Sequence, residues 1–169
     1  MTPAELLIDA FDRVRDGALA VVDGLTEDQL AHRIAPDTNS IAWLVWHAYR
    51  VQDDHVADAA GLQQVWAARG FIEHFDLDLD EDDTGFGHTP AQVAKVRAPA
   101  HLLARYVEAT HRQSVAWIGG LTEADLDRVV DDAWDPPVTL GVRLVSVVND
   151  DTQHIGQAAY VRGLLDGSE

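Results

Sequence analysis

Residues 144–157 read LVSVVNDDTQHIGQ and place two acids and a histidine inside an apolar pattern with helical spacing. Asp150 and His154 are four positions apart, so on a helix their side chains share one face. Carboxylates are rarely buried unless they are paired or bind a metal. The stretch therefore predicts either a metal site or an internal hydrogen bond, in which Asp150 or Asp151 is paired with His154 or with an arginine of a neighbouring helix.

Apolar residues recur with helical spacing in this stretch and in three other long segments. Signals for the start of a helix precede the first two segments, with Thr2, Pro3 and Glu5 in one and Ser40 in the other. The four predicted helices cover residues 2–24, 41–60, 99–118 and 140–165, and shorter helical turns are expected after Thr26 and Thr89. We therefore predict an all-α four-helix bundle with long connections and short extra helical turns, forming a single domain over residues 1–169 without β-strands.

The segment from Leu62 to His88 interrupts the helical pattern and contains the acidic run DLDLDEDDTGFG. A calcium-binding loop would require glycine at its sixth position and glutamate at its twelfth. Counted from Asp76, these positions hold Glu81 and Gly87, so the calcium interpretation fails. We expect a solvated acidic loop, and a loop of this length in a compact domain usually covers a pocket.

Charge and composition limit the partners of the chain. Its 29 acidic and 12 basic residues give a formal net charge of -17, which opposes binding to nucleic acid. No stretch reaches the roughly 18 apolar residues of a membrane span, and acids near the N-terminus are atypical of a signal peptide. We expect a soluble cytoplasmic protein. The absence of cysteine means that any thiol chemistry requires an external thiol.

A histidine of the second predicted helix can complete a metal site. The sequence SIAWLVWH ends at His47, on the edge of the apolar stripe of that helix. If His47 meets Asp150 and His154, two imidazoles and one carboxylate leave an open coordination position, as in catalytic zinc sites. The same ligand set also suits Fe(II) in an oxygenase. Asp151 is the alternative acid, and Asp151 and Gln157 are candidates to orient the ligands from outside the metal shell.

Three motifs together resemble the DinB-like superfamily of four-helix metalloproteins. They are SIAWLVWH at 40–47, DTGFGHTPAQV at 83–93 and D-x-x-x-H-I-G-Q at 150–157. The chain looks nearest to actinobacterial members similar to mycothiol-dependent maleylpyruvate isomerase and mycothiol S-transferases. This resemblance implies a divalent metal, usually zinc, bound by His47, Asp150 and His154. The chain departs from the commonest pattern of the superfamily, in which the residue at position 150 is His or Glu.

The resemblance also implies an activity. A metal-dependent enzyme of this kind would use a low-molecular-weight thiol such as mycothiol for S-transfer or isomerisation of small electrophiles. Arg50, Tyr106 and Arg143 are candidates for contacts with the thiol or the electrophile. The alternative from a different class is a non-catalytic, metal-binding, stress-associated DinB-like protein that acts as a homodimer.

Overall fold

A four-helix bundle organises the part of the chain that the computed structural model describes, residues 1–167. The long helices are α1 (Pro3–Val22), α3 (Ile41–Ala60), α7 (Ala100–Ile118) and α8 (Leu140–Asp166). Helix α1 packs against α7 and α8, and α3 packs against the same two helices, so α1 and α3 occupy opposite corners. The predicted all-α bundle is confirmed.

Short elements connect the long helices. They are α2 (Glu27–Ala31), α4 (Val65–Ala68), α5 (Phe71–Phe75), α6 (Pro90–Val93), a 3-10 helix (Glu123–Asp127) and the strands β1 (Val129–Asp131) and β2 (Val138–Thr139). The two strands pair antiparallel and correct the expectation that the chain has no β-strand. Strands of three and two residues are too short to show an alternating pattern in the sequence.

Local capping sets the start of the long helices. The Thr2 hydroxyl accepts the N–H of Glu5, and the Glu5 carboxylate accepts the N–H of Thr2, which completes the predicted capping box. Ser40 caps α3 through the N–H of Trp43, and Gly61 ends that helix in the left-handed conformation with φ of 65°. Short-range hydrogen bonds therefore fix the first residues of α1 and α3.

Helix α4 depends on a long-range contact. The Asp53 carboxylate of α3 accepts the N–H groups of Val65 and Trp66, both at 2.8 Å, and so satisfies donors at the start of α4. The Tyr106 hydroxyl of α7 donates to the same carboxylate at 3.0 Å. Segment 62–75, expected to be a loop, is therefore partly helical because α3 supplies the cap.

Helix α3 is buried on most of its sides, not only along its predicted apolar stripe. Its polar residues His47, Arg50, Gln52 and Asp53 are all buried. Helices α7 and α8 cover two sides, and residues of the 62–93 segment cover a third through Arg50, Asp53 and His47. This burial places His47 in the interior, facing α8.

Within residues 1–167, no helix combines the length and apolarity that crossing a membrane requires.

Candidate metal centre

Three side chains from two helices converge between α3 and α8. One potential ligand atom from each of His47, Asp150 and His154 lies within 4.8 Å of the other two. The rings of the two histidines meet edge to face, with centroids 4.7 Å apart and an interplanar angle of 70°. His154 and Asp150 are one turn apart on α8, so that helix supplies two of the three groups from one face.

Both histidines use Nδ1 for a backbone hydrogen bond. Nδ1 of His47 contacts the carbonyl oxygen of Thr84, and Nδ1 of His154 lies 2.9 Å from the carbonyl oxygen of Asp150. Because a carbonyl only accepts, Nδ1 carries the proton in each ring and Nε2 keeps its lone pair. Metal-binding histidines typically show this arrangement, in which the second nitrogen fixes the orientation of the ring.

The Asp150 carboxylate has one buried oxygen without a hydrogen-bond partner among the described residues, namely Oδ2. It lies 3.4 Å from Nδ1 of His154, which is long for a hydrogen bond. A buried acceptor without a donor costs roughly 1–3 kcal/mol, and a cation at this position would remove that cost. The three residues therefore fit a divalent metal.

The environment favours a carboxylate at Asp150 and a neutral ring at His47. Contact with the His154 ring lowers the pKa of Asp150 below its usual value. Burial lowers the pKa of His47, against the effect of its bond to Thr84. The same contact with Asp150 raises the pKa of His154. A larger fraction of His154 than of His47 is therefore protonated at a given pH, and a metal must displace that proton.

Trp43 forms one wall of the centre. Its ring stacks on the His47 ring at a centroid distance of 4.6 Å and an interplanar angle of 16°. It also lies 6.2 Å from the His154 ring. On another side of His47 a glycine, Gly85, approaches so closely that a Cβ there would lie 2.8 Å from Nδ1. The imidazole is thus held between an aromatic ring and a backbone segment.

A family model described as mycothiol-S-transferase matches residues 6–167 of the chain. The chain belongs to the mycothiol-S-transferase family. This membership confirms the predicted DinB-like relationship. The chain is also similar to a solved structure described as a conserved protein from Enterococcus faecalis, with 32% sequence identity, 99% coverage of both chains and a TM-score of 0.92. The comparison with curated proteins found no match.

In this mycothiol-S-transferase family member, Asp150 rather than Asp151 lies with the two histidines. Asp151 is fully buried, and neither of its carboxylate oxygens has a hydrogen-bond partner in the described part of the chain. Burial raises the pKa of Asp151 well above its usual value, and the nearby Asp150 adds to the increase. One residue along a helix is a rotation of about 100°, which turns Asp151 away from the face that carries Asp150.

Two of the predicted substrate contacts in this family member, Arg50 and Tyr106, are buried and bonded to neighbouring side chains. Arg50 donates to the Gln64 side chain at 2.8 Å and lies over the Trp66 ring at 5.0 Å. Tyr106 is bonded to Asp53 in the core. Both side chains are buried, and their predicted contact with the thiol or the electrophile stays a prediction.

Arg143 and Gln157 lie apart from the three converging residues. Arg143 donates to the Asp131 carboxylate at 2.8 Å and lies 3.3 Å from Nδ1 of His55. Gln157 is exposed, one turn beyond His154 on α8, and lines an open cavity of about 620 Å³. The structure gives Gln157 no contact with a histidine of the centre, so its predicted orienting role stays a prediction.

Two residues of the segment that contacts His47 are not among the predicted site residues. Asp83 and His88 form a hydrogen-bonded pair, with His88 Nε2 at 2.9 Å from Oδ2 of Asp83. Both belong to the DTGFGH motif, whose two glycines flank Phe86. Glycines at such spacing signal a tight, constrained backbone, and this was the signal available in the sequence.

Proposed function

We propose that this protein is a zinc-dependent transferase that uses mycothiol, or a closely related low-molecular-weight thiol, as its nucleophile. One observation carries the proposal: His47, Asp150 and His154 converge at a buried carboxylate oxygen that has no donor within residues 1–167. Family membership supplies the thiol as the expected substrate class. The absence of cysteine supports an external thiol, because the chain has no sulfur nucleophile of its own.

The three residues would each contribute a distinct property to the centre. His47 and His154 provide neutral nitrogens, and Asp150 provides one negative charge. A bound divalent metal would supply Lewis acidity, which lowers the pKa of a coordinated thiol towards neutrality. With Asp150 as the one charged protein ligand, a thiolate would bring the total charge of the centre to zero.

The transfer step forms one carbon–sulfur bond and breaks two bonds, the S–H bond of the thiol and the bond from carbon to the leaving group. The sulfur of the thiol attacks an electrophilic carbon, a carbon–sulfur bond forms, and the bond from that carbon to its leaving group breaks. The thiol proton passes to solvent. Trp43 is buried and stacked on His47, so it covers one side of the imidazole and restricts the directions from which water can approach.

Metal analysis and a thiol-dependent assay test the proposal together. We expect about one zinc per chain, as in a three-ligand catalytic site, and release of chloride from monochlorobimane when mycothiol is added. Both should be lost in His47→Ala and His154→Ala and retained in His101→Ala, which changes an exposed histidine. A wild-type protein without metal would refute the proposal. Metal binding without turnover across several thiols would favour the non-catalytic, dimeric alternative.

A further inference from the structure

The carbonyl of Thr84 determines how His47 faces the centre. It is the partner of Nδ1 of His47, and because it can only accept, the lone pair of the ring must lie on Nε2. Such a partner fixes both the tautomer and the angle of a ligand ring. Thr84 lies in a segment without helix or strand, so its position depends on contacts made by its neighbours.

A chain of hydrogen bonds holds both sides of Thr84. Oδ1 of Asp83 accepts the N–H of Gly85 at 2.7 Å, and His88 Nε2 lies 2.9 Å from Oδ2 of the same carboxylate. The indole N–H of Trp43 donates to Nδ1 of His88 at 3.0 Å. Nε2 of His88 must therefore carry the proton and donate to Asp83. Through Trp43, this chain of bonds ends on α3, the helix of the ligand itself.

Two further contacts limit movement of the same segment. Nε of Arg50, one turn beyond His47 on α3, donates to the carbonyl oxygen of Asp83 at 3.1 Å. The backbone of Gly85 lies so near His47 that only a hydrogen fits in place of a side chain. These contacts hold the segment against His47 and Arg50 of α3.

We propose that Asp83 and His88 are positioning residues for the metal ligand His47, acting through the carbonyl of Thr84. Neither belongs to the three converging residues. Their side chains are partly or almost fully buried, and their hydrogen bonds are directed at each other, at Gly85 and at Trp43. The inference rests on the proposed function, because it assigns to His47 the role of a metal ligand.

Zinc affinity of the full-length protein, measured by competition with a chromophoric chelator, tests this role. Asp83→Asn and His88→Phe should weaken zinc binding about 10- to 100-fold, the range for residues that orient metal ligands. Asp82→Asn is the matched control, because it removes an exposed neighbouring carboxylate and should leave the affinity unchanged. His88→Gln should restore much of the affinity, since an amide can donate to Asp83 and accept from Trp43.

Two readouts separate positioning from a purely structural role. The unfolding midpoint of each variant is measured without metal, and the visible spectrum of the Co²⁺ form reports the geometry of the ligands. Positioning predicts an altered spectrum and a loss of affinity beyond any loss of stability. Wild-type zinc affinity in both variants, or a loss that only follows stability with an unchanged spectrum, would overturn the inference.

The wild-type protein provides a further test that does not depend on any variant folding. Nitrogen-15 NMR of the metal-free protein should show His47 protonated at Nδ1, and protonation at Nε2 instead would overturn the inference. Wild-type protein that binds no zinc would overturn the proposed function. Wild-type protein that binds zinc while the variants bind it equally well would overturn only the role of Asp83 and His88.

Discussion

Asp150 and Asp151 are chemically identical neighbours in different surroundings. Asp150 is partly exposed and has its pKa lowered by the adjacent His154 ring. Asp151 is fully buried without a hydrogen-bond partner in the described chain, and burial raises its pKa. A rotation of one residue along α8 therefore separates a candidate ligand from a residue of the bundle interior.

A matched pair of amide substitutions tests this difference. Asp150→Asn should weaken zinc binding by more than about 100-fold, because it removes a ligand rather than a group that only orients one. Asp151→Asn should leave zinc affinity nearly unchanged. Isothermal titration of both variants with zinc measures the two effects. The reverse order of affinities would identify Asp151 as the ligand.

Gly85 and Gly87 offer a second comparison between neighbours. Both have positive φ, but a Cβ at Gly85 would meet Nδ1 of His47 at 2.8 Å and Trp46 at 3.0 Å, whereas a Cβ at Gly87 meets nothing within 4 Å. Each substitution by alanine should cost roughly 1–2 kcal/mol of backbone strain. Only Gly85→Ala should also weaken zinc binding. Equal zinc affinity in the two variants would show that the close approach to His47 is unimportant.

At the scale of elements, polar pairs join the helices that pack against each other. Nε2 of His111 on α7 lies 2.8 Å from the Asp12 carboxylate on α1. Burial lowers the pKa of His111, with the nearby Arg15 adding to the effect, although Asp12 opposes both. In the folded protein His111 is therefore mainly neutral and donates its Nε2 proton to Asp12.

The lowered pKa of His111 makes the free energy of unfolding depend on pH. Between the unfolded pKa of about 6.5 and the lower folded pKa, the unfolded chain binds more protons at His111 than the folded chain. The contribution of His111 is therefore fully present above about pH 7 and is lost as the pH falls through its lowered folded-state pKa. His111→Gln should make unfolding free energy less sensitive to acid than in the wild type.

Denaturant titrations of the wild type and variant across this pH range measure the effect. His101→Gln is the control, because His101 is exposed on the same helix and its replacement should leave the wild-type pH dependence in place. A steeper loss of stability on acidification in His111→Gln than in the wild type would contradict the assignment of a lowered pKa.

At the scale of the whole molecule, the candidate metal centre links two long helices. His47 belongs to α3, whereas Asp150 and His154 belong to α8, and these two helices pack extensively against each other. The centre is assembled only when the bundle is folded, since more than 100 residues separate its parts in sequence. Metal binding should therefore favour the folded state.

Thermal unfolding with and without zinc tests this coupling. At free zinc about 100 times the Kd, unfolding free energy should rise by roughly 2.7 kcal/mol, and the midpoint should rise with zinc concentration. His154→Ala should unfold at the same midpoint with or without zinc. Equal stabilisation of this variant by zinc would place the binding site elsewhere.

Local sequence patterns predict the four long helices and the residues that are chemically capable of forming a site. Capping residues and apolar spacing act over a few residues, so the bounds of α1, α3 and α8 could be predicted closely. The same spacing put Asp150 and His154 on one helical face. A single turn of helix separates them, and no tertiary contact is needed to predict their proximity.

The contacts of those residues depend on the packing of the helices. In the folded chain, buried Arg50 donates to the carbonyl oxygen of Asp83. Asp150, and not Asp151, lies with His47 and His154. Folding also brings the carbonyl of Thr84 to His47, a contact between residues 37 positions apart. Such contacts depend on how the helices rotate and pack against each other, and local sequence patterns do not specify those rotations.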